Sequence, residues 1–138
     1  LSLRRMPEAE IAARLDERRQ NVVTVRLVDR MSNSGIVGVV VGESVDATLR
    51  IDELCVSCRA LGRRLEDAIV TQAILLMAEG RAPSTVSFDV RDGPRNAPAR
   101  DWLARYAQAP ATGGGVAMSF DEVKRKGVSA AIRTVVVR

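Results

Sequence analysis

Between Ile51 and Glu66 an alternating strand reaches a cysteine, passes through a tight turn and leaves as an amphipathic helix. The turn reads Arg59-x-x-Gly62-x-Arg64. Leu61, Leu65, Ile69, Ala73 and Leu76 follow at helical spacing to about Glu79, with Gly80 as the stop. Such a junction fits a strand–helix–strand crossover, which lays the next strand parallel to the first. It also carries chemical meaning. Backbone N–H groups at a helix N-terminus bind phosphate or pyrophosphate, and Cys58 stands beside them. A thiol next to an anion cradle points to chemistry on a thioester or an acyl carrier.

The rest of the chain supplies the sheet around that junction. Ile11, Ala12 and Leu15 recur at helical spacing and predict a helix over 7–19, with Pro7 at its first turn and acids near its start. Val23, Val25 and Leu27 share one face of a strand over 22–28, and a continuous apolar strand over 36–41 pairs with it through the turn at 31–35. Residues 42–46 read as a loop. The strand over 47–58 places Leu49, Ile51, Glu53, Cys55 and Ser57 on one side, and Asp52, Leu54, Val56 and Cys58 on the other. A strand over 85–90 comes next. Asn96, followed by Ala97-Pro98, caps a helix through Tyr106. Strands over 116–120 and 132–137 close the chain, joined to what precedes by a glycine-rich loop at 108–115. Three consecutive strands followed by a crossover predict an α+β fold: a mixed central sheet flanked by helices on both faces.

At 138 residues the chain fits one domain. Aromatic residues make up only 3%, so the core must be built from Val, Ile, Leu and Ala. That scarcity argues against the stacking platforms single-stranded nucleic acid needs. The net charge of +4 comes mostly from Arg, a good bidentate partner for phosphate and carboxylate, but the basic residues are scattered among acids. An anionic small ligand or an acidic carrier fits that pattern, and a nucleic-acid partner is not expected. The chain has no His, which excludes any Cys–His or Ser–His pair within it. Cys55 and Cys58 form one C-x-x-C with no second pair, so no metal site is expected. Strand parity would send the two thiols to opposite faces, against a mutual disulfide. Two cysteines without a signal peptide point to the cytoplasm, and no apolar run reaches membrane-spanning length. A start at Leu1 rather than Met predicts a piece of a larger protein.

With Arg59-x-x-Gly62-x-Arg64 at a strand–helix junction, this order of elements resembles the GNAT acyltransferase superfamily, whose corresponding turn holds the pyrophosphate of acetyl-CoA. The helix from Asn96 past Trp102 to Arg105-Tyr106 is similar to the superfamily's next helix, where an Asn and a late Tyr often approach the cofactor. A narrower likeness is carried by Asp29-Arg30, Gly35-Ile-Val-Gly38, Ser57-Cys58-Arg59-x-Leu61-Gly62-Arg63, Glu66 and Asn96-Ala-Pro98-x-Arg100-Asp101. Together, over about residues 20–106, these resemble the C-terminal domain of FkbH-like proteins. That family has Gly where this chain has Arg64, and a different run where this chain has Met31-Ser-Asn-Ser34.

The resemblance implies a haloacid-dehalogenase-type phosphatase domain N-terminal to this GNAT-like one; its Asp-x-Asp motif is absent here. It implies an enzyme of polyketide natural-product biosynthesis that loads a glyceryl unit from 1,3-bisphosphoglycerate onto an acyl carrier protein, toward methoxymalonyl or hydroxymalonyl extender units. Cys58 would then hold the acyl group as a thioester, and Arg59, Leu61, Gly62, Arg63, Arg64 and Asn96 would bind phosphopantetheine or CoA. Each residue also has a structural reading. A free Cys is commonly a small buried hydrophobe, the only reading for Cys55. Asn96 is an N-cap by default, Glu66 balances a helix dipole, and Arg100 and Asp101 form a solvated face. Two other functions stay open: an acetyl-CoA-dependent N-acetyltransferase, and a catalytically silent module that docks the carrier protein.

Overall fold

The structure is a computed structural model, and it describes residues 6–16, 20–28, 30, 31, 33–58, 60 and 65–127. The elements run α1 (Glu8–Asp16), β1 (Gln20–Val28), β2 (Asn33–Val45), β3 (Thr48–Val56), α2 (Glu66–Met77), β4 (Thr85–Phe88), α3 (Ala97–Ala107), β5 (Val116–Ser119) and α4 (Phe120–Lys126). The expected strand at 132–137 lies outside the described residues, as do Asp29, Arg59, Leu61, Gly62, Arg63 and Arg64.

The five strands form one sheet in chain order, β1-β2-β3-β4-β5. Every neighbouring pair is antiparallel except β3 and β4, which are parallel because α2 returns the chain across the sheet between them. The mixed α+β sheet expected from the sequence is therefore present. Ile69, Val70, Thr71, Ala73, Ile74 and Met77 bury one side of α2. Val70, Ala73, Ile74 and Met77 meet Leu49, Ile51, Val86 and Phe88 from the sheet and Trp102, Leu103 and Tyr106 from α3 in one core, while Ile69 packs with Val37 and Ala60 in a second cluster. Burying an apolar side chain such as Ile74 or Phe88 contributes about 1.5–3 kcal/mol. Gly42 lets β2 pass close to this core, since a Cβ there would meet the Arg50 carbonyl at 2.9 Å and Met77 Sδ at 3.2 Å.

Several expectations change. The loop expected at 42–46 shortens to Asp46 and Ala47, because Gly42–Val45 pair with β3 out to Val45↔Thr48. Asp46 accommodates the tight turn at φ +51°, a conformation Asp tolerates. The β3 strand stops at Val56, and β4 stops at Phe88 rather than residue 90. The regular alternation read along β3 also breaks. Val41 pairs with Glu53 and Gly42 with Ile51, leaving Asp52 as an extra residue on β3. This β-bulge reverses the side-chain phase: Leu49 and Ile51 are buried before it, and Leu54 after it. Ile11 and Leu15, which marked the first helix, face outward at 39% and 65% exposure, while Arg14 is buried. No helix among the described residues is long and apolar enough to cross a membrane.

The α4 helix was not expected. Ser119 ends β5 and caps α4: its Oγ accepts the Glu122 N–H at 3.2 Å, and Glu122 accepts the Ser119 N–H at 2.9 Å. This capping box is spelled out in Ser119-x-x-Glu122 and was the available signal. Acids in the first turn and Lys124, Arg125 and Lys126 in the last match the helix dipole.

Candidate functional site

The parallel ladder between β3 and β4 covers only Thr48↔Thr85 to Ile51↔Phe88, and at its far end the Asp89 N–H donates to the Ile51 carbonyl at 3.0 Å. Beyond that point, among the described residues, β3 continues against β2 without β4, and the sheet forks. Along the fork the Ser57 N–H donates to the Val37 carbonyl on β2 at 2.8 Å. Strand alternation then aims the N–H groups of Leu54 and Val56 away from β2, along the edge that β4 has left. Glu53 Oε1 accepts the Leu54 N–H at 2.9 Å. Such an edge can receive an extended ligand that carries amide or thioester carbonyls, much as a sheet receives another strand.

Cys58 sits in the turn just past β3, and both cysteines are exposed with free thiols. Neither is the small buried hydrophobe considered for it. Cys58 also lies beyond the strand, so strand parity does not decide where it points relative to Cys55. Partial burial and then the Glu53 charge push the Cys55 thiol above its ordinary pKa. Of the expected phosphate turn, Arg59, Leu61, Gly62, Arg63 and Arg64 fall outside the described residues. Ala60 between them is buried, and its N–H donates to the Ser57 carbonyl at 2.9 Å.

Asn96 is buried at the start of α3, but its side chain does not cap the helix. Its Nδ2 instead donates to the Arg91 carbonyl, which holds the loop between β4 and α3. Arg100 is not merely solvated: it pairs with Asp92 at 2.9 Å and donates through Nε to the Ala111 carbonyl at 3.1 Å. Asp101 is exposed, as expected. Tyr106 turns its hydroxyl to Thr71 on α2 at 2.9 Å and stacks on Trp102, whose Nε1 donates to Asp67 at 2.7 Å. Burial pushes the Tyr106 hydroxyl up to about 12.

One feature of the site has no counterpart in the sequence reading. An open cleft of about 420 Å³ lies where the ladder ends, lined by Arg14, Arg50, Asp52, Ser87, Asp89 and Gly115 among others. The bulged Asp52 is buried there between two guanidinium groups: Arg14 Nη1 reaches Oδ2 and Arg50 Nε reaches Oδ1, each at 2.7 Å. Arg14 also pairs with Glu10 at 3.2 Å, and Arg50 with Glu43 at 2.7 Å. Burial alone would weaken the Arg14 cation, yet its hydrogen bond to Asp52 and the charges of Asp52 and Glu10 hold its pKa above the ordinary value. The Asp52 hydrogen bond does the same for Arg50. Charged residues inside a strand, Arg50 and Asp52, were the only hint of this cleft. Their partner Arg14 lies 38 residues before Asp52.

The sequence matches no protein-family model and no curated protein. Its fold does match solved structures. GCN5 from Tetrahymena aligns over 74% of this chain and 59% of its own, at TM-score 0.52 and 10% identity. The BH1408 protein of Bacillus halodurans, solved as a tetramutant, aligns over 72% and 66%, at TM-score 0.57 and 18% identity. A variant of spermidine N-acetyltransferase SpeG from Vibrio cholerae aligns over 72% and 57%, at TM-score 0.53 and 11% identity. The chain thus spans roughly three fifths of the length of these structures. Forked mixed sheet, crossover helix and element order together give this chain a GNAT-like fold.

Proposed function

We propose that this chain is the acyltransferase-type domain of an enzyme that passes a glyceryl unit from 1,3-bisphosphoglycerate to the phosphopantetheine thiol of an acyl carrier protein. The observation that carries this reading is the exposed Cys58 thiol in the turn that ends β3, at the mouth of the open strand edge. With no histidine in the chain, activation of that thiol falls to the arginine-rich turn or to the companion phosphatase domain.

The Cys58 thiolate attacks the carbonyl carbon of the acyl phosphate. The bond from that carbon to the phosphate oxygen breaks, and inorganic phosphate leaves with the electron pair. Water in the phosphatase domain hydrolyses the remaining 3-phosphate ester. The carrier thiol then attacks the thioester, and Cys58 departs as thiolate and takes up the proton the carrier thiol gives away. Intact-mass measurement of the complete protein with 1,3-bisphosphoglycerate tests this directly. A glyceryl adduct absent in Cys58→Ala supports it, and an undiminished adduct in that variant overturns it. Carrier binding without adduct or turnover would leave a docking module.

A second reading, acetyl-CoA-dependent N-acetyl transfer, draws on the other end of the open edge. There the Leu54 N–H lies two residues before the end of β3, about 7 Å at strand rise, on the cleft side of the turn that holds Cys58. A pantetheine arm lying along β3 with its phosphate near the turn would bring its thioester to Leu54. Spermidine N-acetyltransferase and the ribosomal-protein-S18-alanine N-acetyltransferase from Escherichia coli are among the proteins that share the fold. The readings place the reacting sulfur at opposite ends of one edge. Amine acetylation that survives Cys58→Ala would select the second.

A further inference from the structure

The α1 helix is inside out. At positions 10 and 14, one row along it, Glu10 is half-buried and Arg14 is buried, while Ala12 and the apolar pair Ile11 and Leu15 are exposed. Among the described residues of α1, the side chain taken furthest from water is a cation, and its partner Asp52 belongs to the bulge at the fork. A helix of nine residues does not hold itself together in water and needs a tertiary anchor. An amphipathic helix usually supplies one through its apolar face; here the anchor is an ion pair. Arg14 is at the same time part of the wall of the cleft.

We propose that α1 is a lid over this cleft, latched by the Arg14–Asp52 pair, and that it lifts as a unit when the pair parts. The inference goes beyond acyl transfer and does not depend on it. A buried ion pair adds little net stability while it is made, but losing one partner strands the other charge, so the closed position is specific without being strongly held. Arg50 supports the closed position from the sheet side. It occupies the other oxygen of Asp52 and is itself held by Glu43, so Asp52 stays oriented toward α1. Lifting α1 removes one wall and further exposes Ser87 and Asp89, which are half-buried on β4 and its end while the latch is closed.

Hydrogen exchange read by mass spectrometry on the full chain tests the latch. The α1 amides should exchange well before those of α2. Arg14→Gln should speed α1 exchange on the order of 100-fold, with α2 unchanged, because one partner of a mostly buried pair is lost. Leu15→Ser, at an outward position, should change neither. Gating is read separately by placing Ser87→Cys in a chain that also carries Cys55→Ser and Cys58→Ser. Alkylation of the new thiol should accelerate in parallel when Arg14→Gln is added. The latch is refuted if Leu15→Ser frees α1 as much as Arg14→Gln does, or if α1 is as protected as α2 in every variant. Faster α1 exchange with unchanged thiol labelling refutes the lid.

Discussion

Glu53 Oε1 accepts the backbone N–H of Leu54 at 2.9 Å, on the side of β3 from which β4 has already departed. A carboxylate thus occupies a strand donor that a ligand carbonyl would need. Any acyl thioester or pantetheine amide that pairs with this edge must displace Glu53.

Glu53→Ala should therefore tighten CoA binding rather than weaken it, by about 2- to 10-fold, the range of one net hydrogen bond. Glu53→Gln keeps an acceptor oxygen and should restore wild-type affinity. Titration calorimetry with CoA decides this. Weaker binding in the alanine variant would mean that Glu53 itself contacts the ligand.

The Cys55 thiol should ionise late. In Cys58→Ala the remaining thiol, Cys55, has its pKa raised by partial burial and by Glu53. Its iodoacetamide reaction should rise at a higher pH in the folded protein than in urea, because the thiolate is the reactive form. Coincident pH profiles in the two states would contradict this assignment.

How much of this was legible follows from what periodicity encodes. It reports which residues share a face, and so α2 and the hairpin strands emerged from Ile69, Ala73, Val23 and Val25. It does not report which face turns inward. Ile11 and Leu15 mark a helix correctly and still point to solvent, because the Arg14–Asp52 pair took the inner side. The bulge at Asp52 was legible but unread: the polar pair Asp52-Glu53 between Ile51 and Leu54 breaks the apolar–polar alternation where the phase of β3 reverses. Cys58 was read as the last residue of the strand, and it lies in the turn two residues past Val56, because β3 stops early. The cleft was out of reach because it joins α1, the bulge and the loop before β5 across long stretches of chain. The α4 helix was within reach, since Ser119 and Glu122 declare its start.

Gly115 and Gly114 provide an internal comparison at the floor of that cleft. Both have positive φ, +121° and +109°, so an alanine strains the backbone at either position. At Gly115 the added Cβ would also lie 2.9 Å from the Phe88 carbonyl, whereas at Gly114 it meets nothing within 4 Å. Gly114→Ala should cost about 1–3 kcal/mol from conformation alone. Gly115→Ala should cost measurably more in urea unfolding and push β5 away from β4. Equal losses would show that the loop yields at no cost.

Tyr106 is the chain's only tyrosine, so near-ultraviolet absorbance reports its ionisation without interference from another phenol. Burial holds its pKa near 12 in the fold, against about 10 when unfolded. The sign follows from proton binding. Between these values the unfolded chain has lost the proton and the folded one keeps it, so the contribution of this group is constant below pH 10 and is lost as pH rises toward 12. The loss attributable to this group is about 2–3 kcal/mol. Tyr106→Phe removes that alkaline loss. At neutral pH it costs about 1–2 kcal/mol, because the Thr71 hydroxyl, fully buried on α2, loses its partner. Adding Thr71→Val replaces the stranded hydroxyl with a methyl of similar size and should recover most of the loss. Urea unfolding of the wild type, Tyr106→Phe, Thr71→Val alone and the double variant at pH 7 and pH 11 completes the cycle. Alkaline sensitivity that persists in Tyr106→Phe would assign the titration to other groups.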